Sequence, residues 1–248
     1  MRMTAEHRAR LNRYIDRVYS IGLAPYVESL KPYRLETMKH ILDVGCGPGQ
    51  WIFASAQLNP DAEMVGLDTE EYFLEFARAL AGKRRLKNCL FVRDSFENLH
   101  RLFPSRLFDL ILCNSVIQYI DEQKALKIFS SILSRNGILL MFWNHGPAYY
   151  LWRAIQGLLR LRPQDSLHPL QVLLPGSLKK ALHGTKSTDH FVTYRSLSRL
   201  AAREGLILQK IATQPSLDYS VTPLGLPLVF SCRGVKMGKS ISLYEDRT

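Results

Sequence analysis

No stretch of this chain approaches the roughly 18 consecutive uncharged apolar residues that a membrane-crossing helix requires. The segment from Met1 to Arg17 carries too many charges for a secretory signal. Cysteine is scarce: Cys46, Cys89, Cys113 and Cys232 stand far apart, with no C-x-x-C pair of the kind that builds a zinc site. Scattered cysteines with apolar flanks suit a reducing compartment rather than a disulfide scaffold. Internal repeats and low-complexity tracts are also missing. Together these absences predict a cytoplasmic chain with no transmembrane segment and no metal.

What is present is apolar and basic. The 248 residues are 46% hydrophobic, enough for one large α/β domain, or one domain with an insertion. Lys and Arg number 33 against 22 Asp and Glu, a formal charge of +11. Such an excess can serve a polyanion or an anionic membrane surface, but here it is spread out. Arg8, Arg10, Arg13 and Arg17 lie near the start, and Arg153, Arg160 and Arg162 in a later segment. Lys83, Arg84, Arg85 and Lys87 form the one tight cluster, without the interleaved aromatics on which single-stranded bases stack. Nucleic acid is therefore not the favoured partner, and peripheral membrane contact stays open.

The hydrophobic pattern alternates between two periods. Residues 4–19 repeat apolar positions at helical spacing (Leu11, Tyr14, Ile15, Val18), with arginines opposite. From residue 40, short apolar runs end in polar residues and are followed by helical stretches. The runs are 41–44 with Asp43 and its glycine turn, 63–67 before Asp68, 89–92 before Asp94, 108–113 before Asn114 and 138–143 before Asn144. The intervening helices are expected over 50–58, over 70–80 with Gly82 as the stop, and after Asp121 until Asn136-Gly137. The alternation breaks over 144–192, where Leu151, Ala154, Ile155, Leu158 and Leu159 share a helical face. It resumes with a helix over 194–204, capped by Thr193 and stopped by Gly205. Strands near 206–213 and 228–235 follow, then a polar tail. Strands alternating with helices imply a doubly wound, mostly parallel α/β sheet. This gives an N-terminal helical segment (1–39), a core (40–143), a helical insertion (144–192) and a C-terminal part of the core with its tail (193–248). Ligands of such sheets bind beyond the carboxyl ends of the strands.

The densest signal is Asp43-Val44-Gly45-Cys46-Gly47-Pro48-Gly49. Closely spaced glycines let the backbone turn sharply and approach a ligand, and the helix that follows offers its amides to a carboxylate or phosphate. A dinucleotide fingerprint would read G-x-G-x-x-G, but Gln50 occupies the last position and the glycine comes one residue early. Asp68 stands where an acidic residue would accept hydrogen bonds from two vicinal ribose hydroxyls. A nicotinamide-dependent oxidoreductase is the least favoured reading.

Residues 41–49 resemble the first motif of class I S-adenosylmethionine-dependent methyltransferases. The resemblance continues through Val65-Gly66-Leu67-Asp68, Arg93-Asp94-Ser95-Phe96, the run from Phe108 to Asn114 and Asn136-Gly137-Ile138-Leu139-Leu140. It covers about 40–143 and again 194–235. It implies a Rossmann-like, seven-stranded sheet whose last strand is antiparallel, with S-adenosylmethionine as methyl donor and S-adenosylhomocysteine as product. It implies that Gly45, Cys46, Gly47 and Gly49 pass close to the methionine part, with Asn114 on the same side. Asp43 would accept from the ammonium and Asp68 from the ribose. Asp94 would accept from the adenine amine, beside Ser95 and Phe96.

Methyl transfer from a sulfonium needs orientation more than acid–base chemistry, except where the acceptor must lose a proton. His145 is the candidate base, because it follows the fifth strand at its carboxyl edge. Tyr119, Tyr149, His168 and His190 are the candidates for the acceptor side. Asn114-Ser115-Val116-Ile117 lacks the Pro-Pro-aromatic run common in enzymes that methylate exocyclic or amide nitrogens. It is closer to the small-molecule branch, although many of those have histidine where this chain has Gln118. The expected activity is methylation of a small molecule, most plausibly at oxygen, of natural-product, quinone or sugar type. RNA methylation and a non-catalytic cofactor-binding subunit are the alternatives. The sequence does not address the oligomeric state.

Overall fold

The computed structural model describes residues 3–161, 164–174, 190–211 and 229–236. The chain opens with α1 (Ala5–Ser20), capped by Thr4, whose side chain accepts from the His7 amide. α2 (Ala24–Leu30) follows, with Pro25 in its first turn, where a missing N–H costs nothing. The core then alternates β1 (His40–Val44), α3 (Gln50–Leu58), β2 (Glu63–Asp68), α4 (Glu71–Lys83), β3 (Cys89–Arg93), α5 (Leu99–Leu102), β4 (Phe108–Leu112), α6 (Glu122–Ile132) and β5 (Leu133–His145). Helices α7 (Pro147–Leu159) and α8 (Gln164–Leu173) follow. α9 (Tyr194–Arg203), β6 (Leu206–Ile211) and β7 (Val229–Lys236) complete the described chain.

The seven strands form one sheet in the order β3-β2-β1-β4-β5-β7-β6. Pairing is parallel from β3 to β5, while β7 is antiparallel to both β5 and β6. This is the expected mixed, mostly parallel α/β sheet. Its central strands are mostly apolar because successive side chains enter two different cores. Ile41, Leu110 and Leu140 pack on one face with α2, α3 and α4. Leu42, Ile111 and Leu139 pack on the other with α6 and α9. Asp109, a polar residue inside β4, joins three strands. It accepts from the Lys39 and His40 amides and from Ser134 Oγ, which ties the start of β1 to β4 and β5.

Several boundaries differ from expectation. α4 runs through Gly82 to Lys83, and the left-handed residue that ends it is Arg85, at φ 58°. The amides of Arg85 and Leu86 donate back to Gly82 O and Ala81 O, closing the turn without a glycine. α6 ends at Ile132, before Asn136-Gly137, and β5 takes over at Leu133. Gly137 serves that strand: a Cβ there would come within 2.8 Å of the Phe108 carbonyl oxygen of β4. β5 also runs on through Asn144 and His145, two residues beyond the expected strand. Thr193 caps α9 in a reciprocal pair with Ser196. β6 ends at Ile211; residues 212–213, along with the tail from 237, lie outside the described residues.

Phe129 of α6 is fully buried and meets the Phe96 ring edge-on. Phe129→Ala should lower the free energy of unfolding by about 3–5 kcal/mol in urea titration, because the cavity cannot collapse between α6 and the sheet. A loss below about 1 kcal/mol would show that this face is not close-packed.

Candidate functional site

The first glycine turn is built by ties to β2. Both Gly45 N–H (2.7 Å) and Cys46 N–H (3.0 Å) donate to the Leu67 carbonyl. Gly47 N–H donates to Asp68 Oδ2 at 2.7 Å, and Glu70 N–H to Oδ1 at 2.9 Å. Gly45, Gly47 and Gly49 all have positive φ, a region side chains with a Cβ avoid. At Gly45 the reason is also steric, since a Cβ there would stand 2.4 Å from Val116 Cγ2. Gly49 does different work: its missing Cβ makes room for Phe53, Ala77 and Phe91 at 3.0–3.3 Å. It packs α3 and α4 against the sheet, off the cleft wall. Cys46 is likewise buried, its sulfur set against Gly66.

A cleft of about 740 Å³ opens beyond the carboxyl ends of β1, β2, β4 and β5, where the strand order reverses from β1 to β4. Gly45, Gly47, Asp68, Asp94, Ser95, Phe96 and Asn114 line one part of it. Tyr119, His145, Tyr149, Trp143 and Val229 line another. Asp43, Cys46, Gly49, His168 and His190 are not on its wall. Asp43 sits beneath the turn, almost wholly buried, and neither carboxylate oxygen has a partner among the described residues. Burial, reinforced by the nearby Asp68, raises its pKa well above the ordinary carboxylate range. Gln50 Oε1 and Asn114 Nδ2 are buried without partners as well, while Asn114 Oδ1 accepts from Phe142 N–H.

An unpaired buried polar atom is costly, so this grouping reads as a ligand site. Acceptors at Asp43 and Gln50 suit an ammonium, and a donor at Asn114 suits a carboxylate. These residues, with the turn a Cβ would obstruct, therefore fit the amino-acid end of S-adenosylmethionine. Asp68 is also pushed up by burial, against the pull of the Glu70, Gly47 and Thr69 amides. Asp94 Oδ1 already accepts from Asn98 and the Ser95 amide, and Oδ2 from Arg101.

The other part of the cleft is aromatic. Trp143 has φ 53° at a bulge where β5 slips against β7 between Met141 and Asn144. That strained conformation places its ring near Trp51 and Tyr26, at centroid distances of 5.4 and 6.4 Å. Asn144, expected among the polar strand ends of the site, is instead spent on the bulge: its Nδ2 donates to Met141 O and Phe230 O. His145 stacks on Tyr149 at 3.8 Å. Burial, with a smaller contribution from Arg153, lowers its pKa to about 4. His190 does not reach the cleft wall; its Nε2 lies 2.9 Å from Glu122. His168 is exposed on α8.

Sequence reasoning missed the contribution of α1. Tyr14, Arg17 and Val18 line the cleft, and the Tyr14 ring packs toward Gly47 and against Phe73. Tyr19 O–H donates to Pro48 O, Tyr72 O–H to Asn12, and His7 pairs with Glu70. The available signal was the apolar stripe of α1, which needed a partner; nothing local named the glycine turn as that partner.

A methyltransferase-domain family model matches residues 35–143. A trans-aconitate 2-methyltransferase from Methylobacterium radiotolerans is 33% identical over 136 residues, which are 53% of this chain and 49% of that protein. This chain thus spans about half the length of the curated relatives it matches. Among solved structures, PKMT2 from Rickettsia typhi in complex with AdoHcy aligns with a TM-score of 0.59 at 16% identity, over 83% of this chain and 50% of that one. Magnesium protoporphyrin IX methyltransferase from Synechocystis with bound SAH gives 0.58 at 14% identity, over 95% and 89%. At such identities the structural likeness speaks for the fold, and the family match speaks for the segment carrying the glycine turn, Asp68 and Asp94. Residues 35–143 of the chain therefore carry a methyltransferase domain, set in a fold shared with solved methyltransferase structures.

Proposed function

We propose that this chain transfers a methyl group from S-adenosylmethionine to a small-molecule acceptor, at oxygen. The observation that carries this reading is His145. It shares a cleft with the glycine turn, and its pKa of about 4 keeps the imidazole uncharged at neutral pH. When bound, S-adenosylmethionine supplies a methyl group activated by the adjacent sulfonium.

The chain's own groups then divide the work. Gly45 and Gly47 admit the methionine part to the backbone, with Gln50 and Asn114 facing its charged ends and Asp43 beneath the turn accepting from the ammonium through water. Asp68 takes the ribose hydroxyls, and Phe96 borders the adenine. Asp94 Oδ2, with one bond from Arg101, keeps a lone pair for the adenine amine. Trp143, Tyr119 and Tyr149 exclude water around the acceptor. His145 removes the hydroxyl proton as the oxygen attacks. The insertion serves the acceptor side, since α7 supplies Tyr149 to the cleft wall. His168 has no part in this reading, and His190 acts only through its neighbours. Small-molecule acceptors also stand in the names of the trans-aconitate and magnesium protoporphyrin enzymes. Among the described residues no helix is long and apolar enough to cross a membrane, and no cluster of His, Cys, Asp and Glu could hold a metal ion.

The direct test incubates the protein with methyl-labelled S-adenosylmethionine and a cell extract. Label in the small-molecule fraction, released by treatments that cleave methyl esters or ethers, is expected; label lost to ribonuclease would overturn the reading. Asp68→Ala should weaken S-adenosylhomocysteine binding by about 1.5–3 kcal/mol in calorimetry, because hydrogen bonds to a charged acceptor are lost. His145→Gln should lower kcat by roughly 10²–10⁴-fold while leaving the S-adenosylhomocysteine Kd within about twofold.

The same imidazole makes stability depend on pH. Between pH about 4 and 6.5 the unfolded chain binds a proton at His145 that the folded chain refuses. Its contribution should fall by about 3 kcal/mol as pH drops through that window. The His145→Gln variant should lose that part of the pH dependence in chemical denaturation; an unchanged profile would place the titration elsewhere.

A further inference from the structure

His145 is held from several elements. Its Nδ1 lies 3.2 Å from the side-chain amide of Gln118, in the turn after β4. Tyr149 stacks on the ring, and Tyr119 and Tyr150 meet it edge-on at 6.3 and 6.0 Å. Its carbonyl accepts from Val192 N–H, and its strand partner in β7 is the apolar Val229. Among the described residues, the charged or titratable groups that act on it are these tyrosines and Arg153 of α7, while His190, paired with Glu122, meets Gln118 through its backbone. Gln118 is fully buried, and its own carbonyl accepts from His190 N–H. Its side-chain amide has one partner among the described residues, His145, and Oε1 has none.

That single contact governs which imidazole nitrogen carries the proton. With Gln118 Nε2 donating to Nδ1, the imidazole proton must sit on His145 Nε2. In this tautomer the ring cannot accept a proton from a substrate. Turned by 180° about its last torsion, the amide presents Oε1 instead. It then accepts from Nδ1–H and leaves the Nε2 lone pair bare. Once that nitrogen takes a proton, the imidazolium has two N–H groups, and Oε1 is the end of the amide that can accept from Nδ1.

We propose that Gln118 is a positioning residue whose amide sets the tautomer of His145, and with it whether Nε2 can act as a base. This rests on the reading of His145 as the base. In the step itself, the acceptor O–H bond breaks and its proton goes to Nε2. The oxygen bonds to the methyl carbon, and the C–S electron pair stays on sulfur as the sulfonium becomes a thioether. The proton then leaves Nε2 for solvent. An uncharged amide also suits the role: a carboxylate at the same place would favour the protonated ring and raise its pKa.

The test is ¹⁵N NMR of histidine-labelled full-length protein with S-adenosylhomocysteine, the His145 signals being assigned by their loss in His145→Gln. At pH 7 the wild type should show a neutral ring with one dominant tautomer. Gln118→Glu should raise the His145 pKa by about 1–3 pH units. Gln118→Met should give mixed tautomers at an unchanged S-adenosylhomocysteine Kd. If the Met variant does not fold, the near-isosteric Glu variant decides the matter. Folded variants with wild-type ¹⁵N shifts and titration would overturn the role of Gln118. Turnover of the labelled acceptor fraction is measured beside this, with Gln118→Met expected at least tenfold down. Undiminished turnover in His145→Gln would sink the base reading by itself, while the shifts would still report on Gln118.

Discussion

The tie between the first two strands is the constraint on which the site depends. The Leu67 carbonyl takes two amides of the glycine turn, and Asp68 takes a third. With three donors committed to β2, the turn cannot relax, and its open side faces the cleft. Val116 closes on the space a Gly45 side chain would fill, so the segment after β4 takes its position from that missing Cβ. The two segments that border the cleft are thus set by backbone geometry before any ligand arrives.

Burial then sets the electrostatics. Asp43, Gln50 and Asn114 hold polar atoms that no described residue satisfies, in a region where hydration is excluded and pairing is worth most. The same exclusion lowers the pKa of His145 and raises that of Asp43. In both cases the charged form is the one disfavoured, so one residue is kept as a neutral acceptor and the other would gain most from a cation. Strain contributes as well: Ser115 and Trp143, both on the cleft wall, have positive φ, Ser115 held by its amide bond to Phe142 O and Trp143 by its amide bond to Ser231 Oγ.

Local pattern made most of the architecture legible. Strand–helix alternation predicted the sheet, and the continuous apolar runs predicted strands buried on both faces. Boundaries shifted where a tertiary contact outweighed a local preference. Gly82 was expected to stop α4, but the helix ends at a left-handed Arg85, closed by backward hydrogen bonds from the Arg85 and Leu86 amides. Asn136-Gly137 was read as a helix terminator, but Gly137 is needed in β5 for its approach to Phe108. Within the glycine turn, sequence could not separate Gly45, which faces the cleft, from Gly49, which packs α3 and α4. Both satisfy the same spacing, and the difference lies in what stands opposite each missing Cβ.

By itself the sequence determined the fold class, the glycine turn and its acidic partner at Asp68, because these follow from short-range periodicity and from conformations that glycine permits. Tertiary structure alone decided which distant side chains share the cleft. It brought α1 over the turn, left His168 and His190 off the wall, and turned Asn144 inward to brace a bulge. It also set Gln118 beside His145, residues 27 positions apart in the chain. Such contacts depend on how helices and strands pack across the whole sheet, and no local spacing encodes them.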